Sequence, residues 1–396
     1  DGFEIPIAMN LYGTHQRVAW ALGVENIDDL TSRVRKLLGM AQGPPSGFVN
    51  KIRALHDLVG LARSQPKIVK NGPCQDVVIV GDEVDVNIIP ALKCWPDDAG
   101  RYITLPLVIS RDPDTGVRNV GTYRMQIYDS KTTGMHWQTH RVGAHHLRLG
   151  SEKRIDKLEV AVALGGDPTT MWSGSMPLPP GLDEIAISGV IRQGQVEMVK
   201  CKTIDIEVPA HAEFILEGYV VPGETRMEGP FGDHTGYYSP AEEYPVFHLT
   251  AITHKLQPMY PTTMVGRPPT EDHFMGKASE RLMLPALQIV VPEIVDMNMP
   301  AEGIFTNYVL VSIKKEYPGH ARKVMYALWG IGQMMLVKGI IVVDHHVDIH
   351  NISEVAWRVG ANIDPAQDVV IVEGPVDDLD HASPTPKFGS KMGIDA

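Results

Sequence analysis

Between Cys74 and Gly266 the chain runs through short β-rich segments, QDVVIV, YITLPLVIS, TIDIEVPA, EFILEGYVV and YPVFHLTAITH, punctuated by Gly and Pro. Many short strands separated by turn residues leave few architectures open and point to a barrel or a sandwich. The texture changes on either side. Before it, the apolar run IPIAMNLYG leads to IDDLTSRVRKLLGM, where Leu30, Val34, Leu37 and Leu38 recur at helical spacing, an α/β lead-in. After it come strand VLVSIKK, helix HARKVMYALWGIG, strand GIIVVD, helix ISEVAWRVG and strand DVVIVEG. That alternation is the order of a parallel sheet with crossover helices. Asn351 and Glu354, at the start of the second helix, have the spacing of a capping box. A chain of 396 residues, 43% hydrophobic, can bury two or three cores, and the expected divisions are 1–73, 74–290 and 291–396.

Charge narrows the partners. Lys and Arg total 36 against 48 Asp and Glu, a net charge of -12 with no basic run, which argues against nucleic acid or an anionic membrane surface. Cys74, Cys94 and Cys201 are far apart and lack CxxC spacing, so neither a disulfide framework nor a structural zinc site is expected. No segment approaches the roughly 18 consecutive apolar residues of a membrane span, and DGFEIPIAMN lacks the plan of a signal peptide. A reducing cytoplasm is the expected setting. The chain starts at Asp1 rather than Met, so the natural N-terminus is expected upstream.

Two stretches carry the chemistry. EGPFGDHTGYYS places Glu228 and Asp233 five positions apart in a segment too rich in Gly and Pro for a helix interior. The segment from Arg118 to His146 is denser in polar groups than strand packing requires. Within it, Arg124 alternates with Met125 and Ile127 and should share a face with Gln126 and Tyr128. A guanidinium buried on an inner face needs a carboxylate or phosphate partner, and the acidic loop can supply one. Three charges sharing a site would titrate together and leave one acid protonated near neutral pH. Taken alone, two acids flanking Gly-Pro turns are more often solvated loop residues. The His136 and His140 pair, the stretch DHHVDIH (Asp344 to His350) and the Gly-flanked Lys391 are weaker signals, for metal in the first two cases and phosphate in the third.

The motifs RNVGTYR, WQTHRVGAH, EGPFGDHTGYYS, GRPP and the closing FGSKMGIDA, in that order, resemble the UbiD-type decarboxylases. These are reversible (de)carboxylases that use prenylated FMN, and the likeness is greatest to the 4-hydroxy-3-polyprenylbenzoate decarboxylase branch of ubiquinone biosynthesis. The resemblance implies a mixed α/β fold: an N-terminal α/β region, a central split β-barrel that binds flavin, and a C-terminal α/β domain with parallel strands. It places the family's triad on Glu228, Arg124 and Asp233. Asp233 becomes the proton donor that replaces CO2, Arg124 the anchor of the substrate carboxylate, and Glu228 the group that holds the arginine. The metal ligands fall on Asn119, His140 and Glu184, for Mn2+ or Mg2+ bridging to the flavin phosphate, with K+ nearby. Thr122, Tyr123, Arg124, His136, Trp137, Gln138, Arg141 and Val142 line the flavin, and Lys391 meets its phosphate.

The implied reaction is non-oxidative, reversible decarboxylation of an aryl or α,β-unsaturated acid through a covalent adduct with prenylated FMN. A flavin prenyltransferase supplies the cofactor, the protein assembles as a homo-oligomer (dimer or hexamer), and a prenylated substrate brings peripheral membrane contact. Members of this family as a rule extend beyond both ends of the present chain, so pocket-covering or subunit-joining elements are expected outside it. Two other readings stand beside this one. They are a UbiD-type enzyme for another hydroxyaryl or naphthoic acid, such as one of the menaquinone route, and a flavin-free metal hydrolase built on the His-rich segments. A non-catalytic homologue is disfavoured because all three triad positions are occupied.

Overall fold

The computed structural model describes residues 2–41, 64–178 and 181–396, so much of the 1–73 lead-in and residues 179 and 180 of LPPGLDEIAISG lie outside the described residues. The chain divides into two compact units. One comprises Asp1–Glu25, Gly43–Asp233 and Tyr238–Val265; the other comprises Asn26–Gln42, His234–Tyr237 and Gly266–Ala396.

In the first unit the β-rich texture becomes a seven-stranded sheet of β1 (Val77–Val80), β2 (Leu107–Arg111), β3 (Arg118–Gly121), β4 (Thr132–Gly134), β5 (Leu158–Leu164), β6 (Phe214–Glu228) and β7 (Glu242–His254). Its spatial order is β1-β7-β6-β5-β2-β3, with β4 paired to β7, and every pairing is antiparallel. Among the described residues this hydrogen-bonded path is open, ending at β1 and β3. Side chains alternate between two cores. Val160, Val162, Leu164, Phe214 and Leu216 enter one, and Leu107, Ile109, Ala161, Ala163 and Ile215 enter the other, so the sheet is covered on both faces. Helix α1 (Val142–Glu152) packs on β2, β3, β5 and β6, and α2 (Glu184–Arg192) packs on β3. Parts of the lead-in join this unit as short strands, with Ile7–Ala8 paired to Tyr260–Pro261 and Lys67–Val69 paired to Glu197–Lys200.

The second unit is a five-stranded sheet of β8 (Ile294–Asn298), β9 (Tyr308–Ile313), β10 (Gly339–Asp344), β11 (Val369–Pro375) and β12 (Phe388–Asp395), in the order β8-β9-β10-β12-β11. Strands β9, β10 and β12 are parallel, and helices α3 (Glu271–Val290), α4 (His320–Trp329) and α5 (Ile352–Asn362) complete the layers. Leu287 of α3 and Val324 and Leu328 of α4 join Val309, Val311, Ile340 and Val342 in one core; Val355 of α5 joins Leu310 and Val343 in another. The helix Asp29–Ala41 packs on α3, with Thr31 Oγ1 donating to the Arg281 carbonyl at 2.8 Å.

One strand departs from the sequence reading. DVVIVEG, expected to continue the parallel sheet, forms β11 and runs antiparallel to β12, because FGSKMGID returns between β10 and β11 without an intervening helix. Parallel neighbours need a crossover, and this connection has none. The α5 cap is half of the expected box. Asn351 Oδ1 accepts from Glu354 N at 3.2 Å, while Asn351 N donates to the Asp348 carbonyl. No helix among the described residues is long and apolar enough to cross a membrane.

The ladder between β6 and β7 breaks between Val220 and Thr225, then resumes to Glu228, so the end of β6 projects past the main register. The chain then turns through Gly229, at φ +96, where an added Cβ would lie 3.0 Å from the Pro240 carbonyl oxygen. An L-residue is strained there. Gly229→Ala should cost about 1–3 kcal/mol in chemical unfolding; a variant as stable as wild type would show that this turn is not held in the left-handed region.

Candidate active site

Arg124 follows β3 and precedes β4, and its partners come from the end of β6 and the hairpin beyond it. Nε donates to Glu228 Oε1 at 2.9 Å, and Nη2 donates to Glu228 Oε2 at 3.2 Å and to Ser239 Oγ at 3.1 Å. Nη1 pairs with Asp233. The expected face is occupied as read, since Gln126 Oε1 accepts from Gly229 N at 2.9 Å and the Tyr128 hydroxyl reaches the Arg226 carbonyl, while Met125 and Ile127 lie in the core. The Phe231 ring lies under the guanidinium, 4.5 Å from its carbon. Glu228 is 0% exposed, Asp233 5% and Arg124 9%, so water screens none of these charges well.

His136 extends the network. Its Nδ1 lies 2.8 Å from Glu228 Oε2. Burial depresses the imidazole pKa, and the Arg124 charge adds to that, so the ring is neutral and Nδ1–H donates. Burial alone would raise the Glu228 pKa. Hydrogen bonds from His136 and Arg124 outweigh it and hold the carboxyl down at about 2. Arg124 shows the converse. Burial would lower its pKa, but Asp233 and Glu228 raise it. The sequence reading sets His136 against flavin or, with His140, in a weak metal pair, not behind Glu228, and it passes over Ser239 and Phe231 although both lie in the acidic stretch. Their place follows from a two-pair hairpin, Phe231 opposite Ser239 and Gly232 opposite Tyr238, that no local pattern announces.

The expected metal ligands come from three elements. Asn119 is on β3, His140 is on the turn before α1, and Glu184 is the first residue of α2. Glu184 Oε2 accepts from Val120 N at 3.0 Å, which sets that carboxylate beside the strand carrying Asn119. Burial pushes Glu184 up to about 7, the cost of an ionised carboxylate without a cation. Asp183 caps α2 through Ile185 N and pairs with Arg118.

Among the described residues, Asn119 Nδ2, His136 Nε2 and Trp137 Nε1 are buried polar atoms without a hydrogen-bond partner. Such atoms are costly to leave bare, and the Asn119 amide, turned about its last bond, would offer Oδ1 to a cation. Arg141 caps α1 without a side-chain bond. The set of amide, imidazole and carboxylate fits a hard divalent cation.

Of the flavin-lining set, Thr122 N donates to the Gly174 carbonyl and Tyr123 meets Trp137 edge-on at 6.4 Å between ring centres. Gln138 accepts from Arg141 Nε, and Val142 opens α1. Lys391 lies on β12 in the second unit, 3% exposed, donating to the carbonyls of Met335 and Val337 (the latter at 3.1 Å). Burial lowers its ammonium pKa to about 8. His136 and His140 share no helix, and Asp344, His345 and His346 bring their ligand atoms within 4.8 Å of one another on a turn where both histidines are exposed.

A mixed α/β protein with an arginine clamped between buried carboxylates, and a cation-ready donor set on neighbouring elements, is the class that fold and site define. The chain belongs to the UbiD family: residues 67–268 match the 3-octaprenyl-4-hydroxybenzoate carboxy-lyase Rift-related domain, and residues 273–396 match the C-terminal domain of that carboxy-lyase. An uncharacterised protein of Archaeoglobus fulgidus is 50% identical over 396 residues, covering 100% of this chain and 81% of its own length. Among solved structures, the UbiD-class enzyme HmfF from Pelotomaculum thermopropionicum in complex with FMN is 29% identical with a TM-score of 0.83, covering 100% of this chain and 83% of that one. Vanillic acid decarboxylase from Sedimentibacter hydroxybenzoicus in closed form is 27% identical with a TM-score of 0.87, covering 100% and 81%.

The charge network predicts a pH signature. In the wild type, the stability contributed by Glu228 is present above its ordinary value of 4.5 and is lost as pH falls through about 2. Arg124→Leu strands both carboxylates and raises their folded-state pKa values above the unfolded ones. Their burden is then absent at low pH and appears as pH rises. Urea unfolding should show a deficit of about 3–5 kcal/mol at pH 7 that shrinks toward pH 4; a pH-independent deficit would contradict the clamp.

Proposed function

We propose that this chain decarboxylates an aryl carboxylic acid with prenylated FMN, releasing CO2 without net oxidation. The observation that carries this reading is Arg124 fixed between Glu228 and Asp233. Four hydrogen bonds direct its N–H groups at Glu228, Asp233 and Ser239, and among the described residues the second hydrogen on Nη1 stays available to a substrate carboxylate. Glu228, ionised and backed by His136, keeps the guanidinium from rotating as the substrate changes charge. Prenylated FMN, when bound, supplies the electron sink for C–C cleavage. Asp233, a carboxylate paired with Arg124 in the resting site, takes up a proton from solvent as the substrate carboxylate engages Arg124, delivers it to the carbon that loses CO2, and returns to the carboxylate that Arg124 stabilises.

Asn119, His140 and Glu184 would hold Mn2+ or Mg2+, with K+ as a second cation, and the positive charge would offset that of an anionic cofactor. Glu184 would then be ionised, its burial cost met by the cation. Thr122, Tyr123, Trp137, Gln138, Arg141 and Val142 border the flavin, and the seven-stranded sheet serves as the flavin-binding half of a split barrel. A flavin prenyltransferase supplies the cofactor, and the protein works as a homo-oligomer. Among substrates we place 4-hydroxy-3-polyprenylbenzoate first, supported by the description of the matched family; its prenyl chain brings peripheral contact with a membrane. A solved neighbour that is a vanillic acid decarboxylase supports a hydroxyaryl acid more generally.

Mass spectrometry of the small molecule released from protein co-expressed with a flavin prenyltransferase should find prenylated FMN; absence of flavin after reconstitution with Mn2+ and K+ would overturn the reading. Asp233→Asn should retain the flavin spectrum and lower CO2 release by ~100-fold or more, so unimpaired turnover would remove Asp233 as the acid. Metal binding that survives Asn119→Ala and disappears with His136→Ala would favour the metal hydrolase instead.

A further inference from the structure

Ser110 and His146 form a buried polar pair that the reaction above does not use. Ser110 Oγ and His146 Nδ1 are 3.0 Å apart, and the two residues are 1% and 3% exposed. The pair ties α1 to β2. Across the hairpin, Ser110 of β2 lies directly opposite Asn119 of β3, so the two side chains share a face as near neighbours. On the other side of the bond, His146 belongs to the helix that begins just after His140. The join is stiff. Arg141 N donates to the Gln138 carbonyl at 2.9 Å and His145 N to the Arg141 carbonyl at 3.1 Å, so the turn bearing His140 runs into the helix bearing His146 without slack.

Burial holds the His146 pKa down at about 4, so the ring is neutral at physiological pH and adds no charge beside a cation. A packed interior gains little net stability from one neutral hydrogen bond over apolar groups of equal volume. What such a bond adds is a single permitted helix-to-strand register. Asn119 and His140 come from different elements, and that register decides whether their donors meet at one point.

We infer that Ser110 and His146 are positioning residues for the divalent cation, setting the separation of Asn119 from His140 and through it the affinity for Mn2+. The inference rests on the metal reading of Asn119, His140 and Glu184 given above.

The test compares Ser110→Thr with Ser110→Val, which add the same volume and differ only in the hydroxyl. Mn2+ is titrated into each protein with FMN present, and free Mn2+ is read by electron paramagnetic resonance. Ser110→Thr should bind within about twofold of wild type and Ser110→Val roughly tenfold more weakly, the scale of an outer-shell defect. Equal affinity in the two variants, with Mn2+ bound by wild type, would overturn this inference alone. Failure of the wild type itself to bind Mn2+ would overturn the metal reading and the inference together. Should Ser110→Val not fold, His146→Asn against the near-isosteric His146→Leu poses the same contrast, since the Asn amide occupies the place of Nδ1, with loss of affinity expected only for leucine.

Discussion

A guanidinium removed from water must be matched by acceptors fixed in place, and Arg124 imposes that requirement on three separate stretches of the first unit. Glu228 meets it from the end of β6, Asp233 and Ser239 from the following hairpin, and His136 from behind, by holding the second oxygen of Glu228. The constraint is geometric as well as electrostatic. Glu228 reaches Arg124 because the β6 ladder resumes after its break, and Asp233 reaches it because Gly229 turns the chain where a side chain would collide with the Pro240 carbonyl. A run of Gly and Pro next to two acids is therefore the backbone that this cation demands.

The scaffold supplies stiffness by covering its sheet on both faces, and the polar site occupies places where strand pairing gives out. Among the described residues strand β3 ends the path of the seven-stranded sheet, and Glu184 of α2 satisfies its Val120 amide, so a carboxylate from a helix start covers the edge strand that carries Asn119. The raised pKa of Glu184, and the buried polar atoms of Asn119, His136 and Trp137 that lack partners among the described residues, are costs that a bound cation and cofactor would relieve. These features lie on residues whose local sequence is ordinary for a strand end or a helix start.

Much was legible in the sequence where the physics is local. Alternation along Tyr123 to Tyr128 set Arg124, Gln126 and Tyr128 on one face, and the strand and helix runs after Gly303 appear where periodicity put them. Asn351 caps its helix as its spacing indicated. Other features needed contacts between distant segments. Nothing near Glu184 distinguishes it from any helix-capping acid, and only resemblance to a family brought it forward. His136 bound to Glu228 spans 92 positions, and Ser110 bound to His146 spans 36. The antiparallel return of β12 beside β11 was missed because the apolar run of β11 is identical in character to that of a parallel strand.

The sequence by itself determined most of the elements and the apolar face of the strand that carries Arg124, because these follow from spacing, and it required only that a guanidinium on that face, if buried, find acceptors. Which acid meets which nitrogen, which histidine backs the carboxylate and which strand inserts between two others were decided only by the tertiary structure. Those outcomes depend on hydrogen bonds and burial between segments that linear order does not relate.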